Sequence, residues 1–202
     1  DTGHQAHIHK ILTGRKNAIY TMRQKNEISG FCNIHESKYD AFGAGHTSTS
    51  LSSGLGLAIG RDKNNSKSKI VSIIGDGAMS AGLAYEALNN IGIHKTQMLI
   101  ILNDNEMSIS PSVGTLRNHL HTIHKSQLNL FENLGLEYHG PYDGHDLGLI
   151  IDKISDLKDC THPVLLHIKT QKGHKHPKRL ETYDALHGIK PSKHQQVMQN
   201  RI

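Results

Sequence analysis

Residues 70–110, IVSIIGDGAMSAGLAYEALNNIGIHKTQMLIILNDNEMSIS, decide the fold. Ile70 to Ile74 is a short β-branched apolar run, the composition of a strand buried on both faces. Gly75-Asp76-Gly77 interrupts it with two glycines that let the backbone approach a ligand. Ala78 to Asn90 reads as a helix and Met98 to Leu102 as a second apolar strand. Parallel strands need a crossover of this kind, about 30 residues in all. Asp76 and Asn105 therefore fall just past the carboxyl ends of neighbouring strands, on the sheet edge where open α/β folds bind ligands.

The residue types at that edge suit one kind of ligand. Asp76 offers a carboxylate, Asn103 and Asn105 offer amide oxygens, and the loop to Met107 offers backbone carbonyls. Hard oxygen donors without a thiolate fit Mg²⁺ or Ca²⁺ better than zinc. Mg²⁺ usually keeps waters and shares phosphate oxygens, and a helix starting near Ala78 would aim its free N–H groups at the same place. Together these features describe a diphosphate site. Taken alone, GDG reads equally well as a tight turn. An asparagine pair one crossover later makes coincidence the poorer account.

Chain-wide properties bound the class. The 202 residues are enough for one domain with a real core. No apolar run approaches the roughly 18 residues of a membrane span, so no membrane role is expected. Cys32 and Cys160 are isolated thiols, for which a cytoplasmic setting is the default. The net charge of +5 invites a nucleic-acid reading. Basic residues are spread along the chain, however, and aromatic side chains for stacking are few. The densest run, KTQKGHKHPKR (169–179), reads as a solvated face, so no nucleic-acid partner is expected.

Outside the central unit, residues 1–46 read as a loop-rich entry with short helices. His4, His7 and His9 invite zinc, but no cysteine or carboxylate accompanies them at ligand spacing. Residues 43–60, GAGHTSTSLSSGLGLAIG, read as a turn followed by a small-residue helix. Its glycines fall inside a helical pattern, which makes a dinucleotide fingerprint weak. Val113 to Gly135 has helical spacing. Leu136 to His139 reads as a strand, Leu147 to Leu157 as a helix and Val164 to Ile168 as a last strand. Asp143-Gly144-His145-Asp146 reads as a ligand cluster or, preferably, as a turn with a helix cap. Glu86 reads as structural or interfacial rather than catalytic. The β–α alternation gives an α/β fold, a parallel sheet with helices on both faces. An α/β core spans 47–175, a domain 1–188, and residues 189–202 are expected to form a mobile tail.

GDG with an asparagine pair one crossover later resembles the signature of thiamine-diphosphate enzymes with a transketolase-like fold. The strings DTGHQAHIHKILTGR (1–15), FGAGHTSTSLSSGLGLAIGRD (42–62), GDGAMSAGLAYEALNN (75–90) and ILNDNEMSIS (101–110) resemble the first domain of the 1-deoxy-D-xylulose-5-phosphate synthase family. The resemblance implies thiamine diphosphate and Mg²⁺ as cofactors. Asp76 and Asn105 would hold the metal with the Met107 carbonyl, and Gly77 and Ala78 would lie against the diphosphate. Gly45, His46 and Thr47 match the family's GHS triplet, with threonine keeping the hydroxyl. His4 and His46 would contact the cofactor and serve in proton transfer or substrate orientation. His176 stands where the family has a tyrosine near the cofactor, and by the resemblance would lie at that contact.

The implied activity is a transferase reaction. Pyruvate and D-glyceraldehyde 3-phosphate condense with loss of CO₂, feeding isoprenoid and, in bacteria, thiamine synthesis, in a homodimer. Two departures qualify this. The family inserts several tens of residues where this chain passes from Asn118-His119-Leu120 to Leu130-Phe131 in about ten. The resemblance also implies a segment ahead of Asp1, a second domain whose glutamate activates the cofactor ring, and a third domain. Those catalytic domains would have to be supplied in cis or in trans, and the isolated chain is expected to be inactive. The alternatives are a subunit or fragment of another transketolase-like enzyme, or a non-catalytic remnant that binds a partner.

Overall fold

The computed structural model describes residues 1, 4–108, 110–123 and 129–176, with the side chains of His4 and Gln5 outside that set. Four strands, β1 (Val71–Gly75), β2 (Met98–Asp104), β3 (Glu137–Asp143) and β4 (Pro163–Lys169), form one sheet in the order β1-β2-β4-β3. Every pairing is parallel. Among the described residues the α-helices are α1 (His4–Lys10), α2 (Ser50–Lys63), α3 (Asp76–Met79), α4 (Gly82–His94), α5 (Thr115–Thr122), α6 (Leu130–Asn133) and α7 (Leu147–Leu157), with a π-helical turn at Ile11–Arg15 and a 3-10 turn at Asn17–Thr21. The expected tail at 189–202, and the end of the expected domain beyond 176, lie outside the described residues.

Burial follows from strand alternation. Ile74, Ile100, Leu102 and Leu165 point to one face, where Leu51 and Leu55 of α2, Leu88 and Ile91 of α4, Leu120 of α5 and Phe131 of α6 cover them. Leu99, Ile101, Val164 and Leu166 point to the other face, covered by Ile154 and Leu157 of α7. Helices thus lie on both faces, as the alternation predicts. The second face is thinly covered, and Val71 and Ile73 of the edge strand β1 remain exposed there.

Three elements differ from their sequence reading. The single helix expected over Ala78–Asn90 is two: α3 ends at Met79, Ala81 is extended, and α4 begins at Gly82. The Ser80 hydroxyl donates to the Gly77 carbonyl, closing α3 as one turn. The strand expected over 136–139 runs on to Asp143, the first residue of the expected turn, with a register shift between His139 and Tyr142. Pro141 is tolerated there because β3 is an edge strand. The helical region over 113–135 is two short helices, with 124–128 outside the described residues. Gly92 on α4 packs directly on the turn after α6. A Cβ there would stand 1.8 Å from the Leu134 carbonyl oxygen.

The entry segment is held by charges more than by apolar packing. Lys10 is fully buried, donates to the Ser29 carbonyl at 2.7 Å and pairs with Glu36. Arg15 grips both oxygens of buried Asp40, at 2.7 and 2.9 Å. Burial works to raise the Asp40 carboxyl, but Arg15, the Asn33 amide and His9 hold it well below the usual carboxylate range.

Candidate functional site

Register places the site. Gly75 pairs with Asn103, so Asp76 and Asp104 follow side by side at the carboxyl edge. Both carboxylates are buried, at 6% and 3% exposure. They line a cavity of about 240 Å³ with Gly77, Ser80, Ser112 and Arg117. Burial, with the neighbouring Asp104 charge adding to it, pushes the Asp76 carboxyl above its ordinary range. The Ser112 hydroxyl works against that by donating to Asp76 at 2.7 Å. Burial also acts to raise Asp104, yet the hydrogen bond from His167 brings it below the ordinary value.

Asn105 sits in the turn after β2. Its side-chain oxygen accepts the Met107 amide at 2.9 Å, which fixes that oxygen on the loop side of the edge. Met107 bridges to Pro111, and the Ser112 amide donates to the Glu106 carbonyl, so the loop folds back over Asp76. Asn103 turns elsewhere and accepts from the Thr170 hydroxyl at 2.6 Å. Gly77 faces this loop closely, since a Cβ there would meet the Ser108 side chain at 3.2 Å. The helix N-terminus expected at Ala78 is only the single turn α3, a correction that follows from the break at Ala81.

The turn at 45–48 is brought to the same place. Ser48 has a left-handed φ of 70°, and its hydroxyl donates to the Ala78 carbonyl at 2.7 Å. Gly45, His46 and Thr47 precede it and are exposed. His4 begins α1, and its side chain lies outside the described residues. His176 is exposed in the turn after β4, its amide donating to the Gly173 carbonyl. Glu86 is exposed on α4. Asp146 caps α7 by accepting the Leu149 amide at 3.0 Å, so the cap reading of DGHD holds.

Two features escaped the sequence. Beneath the cavity, Asp104 meets His167 of β4 at 3.0 Å, and the other ring nitrogen of His167 meets the Tyr138 hydroxyl at 2.7 Å. Only the β2–β4–β3 pairing brings these three together. The second is a cluster of His9, Cys32 and Asp40, whose ligand atoms lie within 4.8 Å of one another. The sequence reading found no cysteine or carboxylate beside these histidines, because both partners come from a later loop. Arg15, His9 and the Asn33 amide already occupy both Asp40 oxygens, so the cluster reads as structural.

Comparison with known proteins gives the family. The family described as 1-deoxy-D-xylulose-5-phosphate synthase matches residues 1–129 and 124–170. The 1-deoxy-D-xylulose-5-phosphate synthase of Clostridium botulinum (strain Alaska E43 / Type E3) is 41% identical over 231 residues, covering 95% of this chain and 37% of that protein. That of Chlorobium luteolum is 42% identical over 211 residues, covering 86% and 33%. The chain thus spans about a third of the length of these relatives. The longer alignment exceeds the chain itself, so gaps are required, and the family match is split where the sequence shows its shortened connection. A transketolase structure from Campylobacter jejuni superimposes with a TM-score of 0.63 at 23% identity, over 76% of this chain and 24% of that one, which shows the shared fold. Among the described residues no helix is long and apolar enough to cross a membrane. By its sequence, the chain belongs to the 1-deoxy-D-xylulose-5-phosphate synthase family.

Proposed function

We propose that this chain is the diphosphate-binding domain of a 1-deoxy-D-xylulose-5-phosphate synthase, taking thiamine diphosphate through Mg²⁺. The observation that carries this reading is the pair of buried carboxylates, Asp76 and Asp104, in one cavity at the carboxyl edge of a parallel sheet. The Asp104 charge opposes ionisation of Asp76, and a divalent ion would relieve Asp76. The donor set is all hard oxygen and fits Mg²⁺. Asp76, the Asn105 side chain and the Met107 carbonyl would hold the metal. Gly77 and Ala78 would lie against the diphosphate, with the loop at Ser108 packed closely on Gly77. Gly45, His46 and Thr47 would close the other side, because Ser48 ties their turn to Ala78. His4 and His46 would hold or move a proton, and His176 would lie at the rim.

Thiamine diphosphate, when bound, supplies the carbanion chemistry that joins pyruvate to D-glyceraldehyde 3-phosphate with loss of CO₂. This chain's residues position charge and exclude water. The reading places the domain at residues 1–188 of a cytoplasmic homodimer serving isoprenoid and thiamine synthesis. The remaining catalytic domains come in cis or in trans, and the isolated chain is inactive. Calorimetric titration of thiamine diphosphate with and without Mg²⁺ tests the site. Metal-dependent binding that Asp76→Ala abolishes is the expected result; binding unchanged by that substitution overturns it.

A further inference from the structure

We propose that His167 is the positioning residue of the turn after β2, acting through Asp104 on the backbone that presents Asn105 and the Met107 carbonyl. The inference deepens the metal-site reading above and rests on it for its functional meaning. Its structural content stands on the geometry alone.

The turn needs an external support. Glu106 adopts a left-handed φ of 58°, a conformation that costs a non-glycine residue about 1 kcal/mol or more. Its amide donates to Asp104 Oδ1 at 3.1 Å, so Asp104 holds the strained residue from below. The other oxygen, Oδ2, meets His167 Nε2 at 3.0 Å. An ionised carboxylate only accepts, so Nε2 carries the proton; in the neutral ring Nδ1 is then left to accept from the Tyr138 hydroxyl at 2.7 Å. Burial raises Tyr138 well above the usual tyrosine value, which keeps that hydroxyl protonated.

The relay is anchored in the core. His167 is fully buried, and Tyr138 meets its ring edge-on with centroids 6.0 Å apart. Phe131 stacks on Tyr138, at 6.0 Å and 4° between ring planes. Register explains the alignment, since Leu102 pairs with His167 and Leu165 with Tyr138, which puts Asp104, His167 and Tyr138 on one face. The ring therefore has one orientation, and Asp104 inherits it. Asp104 lines the cavity beside Asp76, so a shift of its carboxylate would move the turn and the charge facing Asp76 together.

Two substitutions separate positioning from bulk stability. In His167→Gln the amide nitrogen reaches the place of Nε2 and keeps a donor for Asp104. In His167→Asn it reaches only the place of Nδ1. Both remove the same ring. In the whole chain, at matched distance below each melting point, amide hydrogen exchange over residues 104–108 is expected to quicken about tenfold or more in His167→Asn while His167→Gln stays near wild type. The Mg²⁺ concentration for half-maximal thiamine diphosphate binding should rise about 10- to 100-fold in His167→Asn alone, the usual cost of losing a group that orients metal ligands. Equal exchange in the two variants overturns the proposal. If neither folds, Tyr138→Phe decides: faster exchange confined to 104–108 supports it, and unchanged exchange overturns it. Failure of the wild type to bind thiamine diphosphate overturns the metal-site reading instead, and the exchange comparison still decides whether His167 sets the turn.

Discussion

Ser112 Oγ donates a 2.7 Å hydrogen bond to Asp76 Oδ2, across 36 positions of sequence, and so ties the loop after β2 to the carboxylate at the end of β1. A hydrogen bond to a charged group contributes about 1.5–3 kcal/mol. Ser112→Ala should lower the stability of the metal-free chain by about that amount. Mg²⁺ with thiamine diphosphate should recover part of the loss, since a cation can replace the missing donor. Thermal melts with and without the pair check both halves.

Asn105→Asp keeps the acceptor for the Met107 amide but adds a third carboxylate beside Asp76 and Asp104. The metal-free variant should lose about 2 kcal/mol, within the usual range for an added unpaired charge in a half-buried place. Its melting point should then rise more steeply with Mg²⁺ than that of the wild type. A smaller rise would count against the metal assignment.

Gly92→Ala would push a methyl group against the Leu134 carbonyl, a backbone atom that has no rotamer to change. The expected loss is about 1–3 kcal/mol, the range for overpacking, read as a lower denaturant midpoint with little change in slope.

Asp40 should govern the acid limit of the entry segment. Its folded pKa lies below the ordinary value of 3.8, so its contribution is complete above that pH. The contribution drains away as pH falls from there through the depressed folded value. Asp40→Asn removes one of the two carboxylates that hold Arg15, leaving Glu36, and should cost about 1.5–3 kcal/mol at neutral pH. Its stability should then change less than the wild type's between pH 4 and pH 2 (roughly, the window set by that direction of shift). Urea midpoints across that window measure the difference.

Sequence periodicity was sufficient for the strand–crossover–strand unit, because β1 and β2 are short apolar runs and GDG interrupts the first. It was sufficient also for the meeting of Asp76 and the turn after β2, which follows from strand ends on one edge. It could not find the partner of Asp104. His167 stands 63 positions away inside an apolar run, and only the placement of β4 beside β2 makes them neighbours. The break between α3 and α4 was hidden for a different reason. Ser80 and Gly82 are tolerated in a helical pattern, and what stops the helix is a side-chain bond to the Gly77 carbonyl. Cys32 and Asp40 beside His9 were likewise out of reach, since an irregular loop carries no period from which to place them.

That break has a mechanical consequence. The turn holding Asp76, Gly77 and Ala78 continues from β1, Ser48 grips it at the Ala78 carbonyl, and Met79 is fully buried in the core beside Leu88 and Ile91 of α4. The extended Ala81 lets α3 and α4 take separate axes, so α4 is coupled to this turn by packing around Met79 rather than by one continuous helix. A displacement of the 45–48 turn would therefore reach the core through Met79.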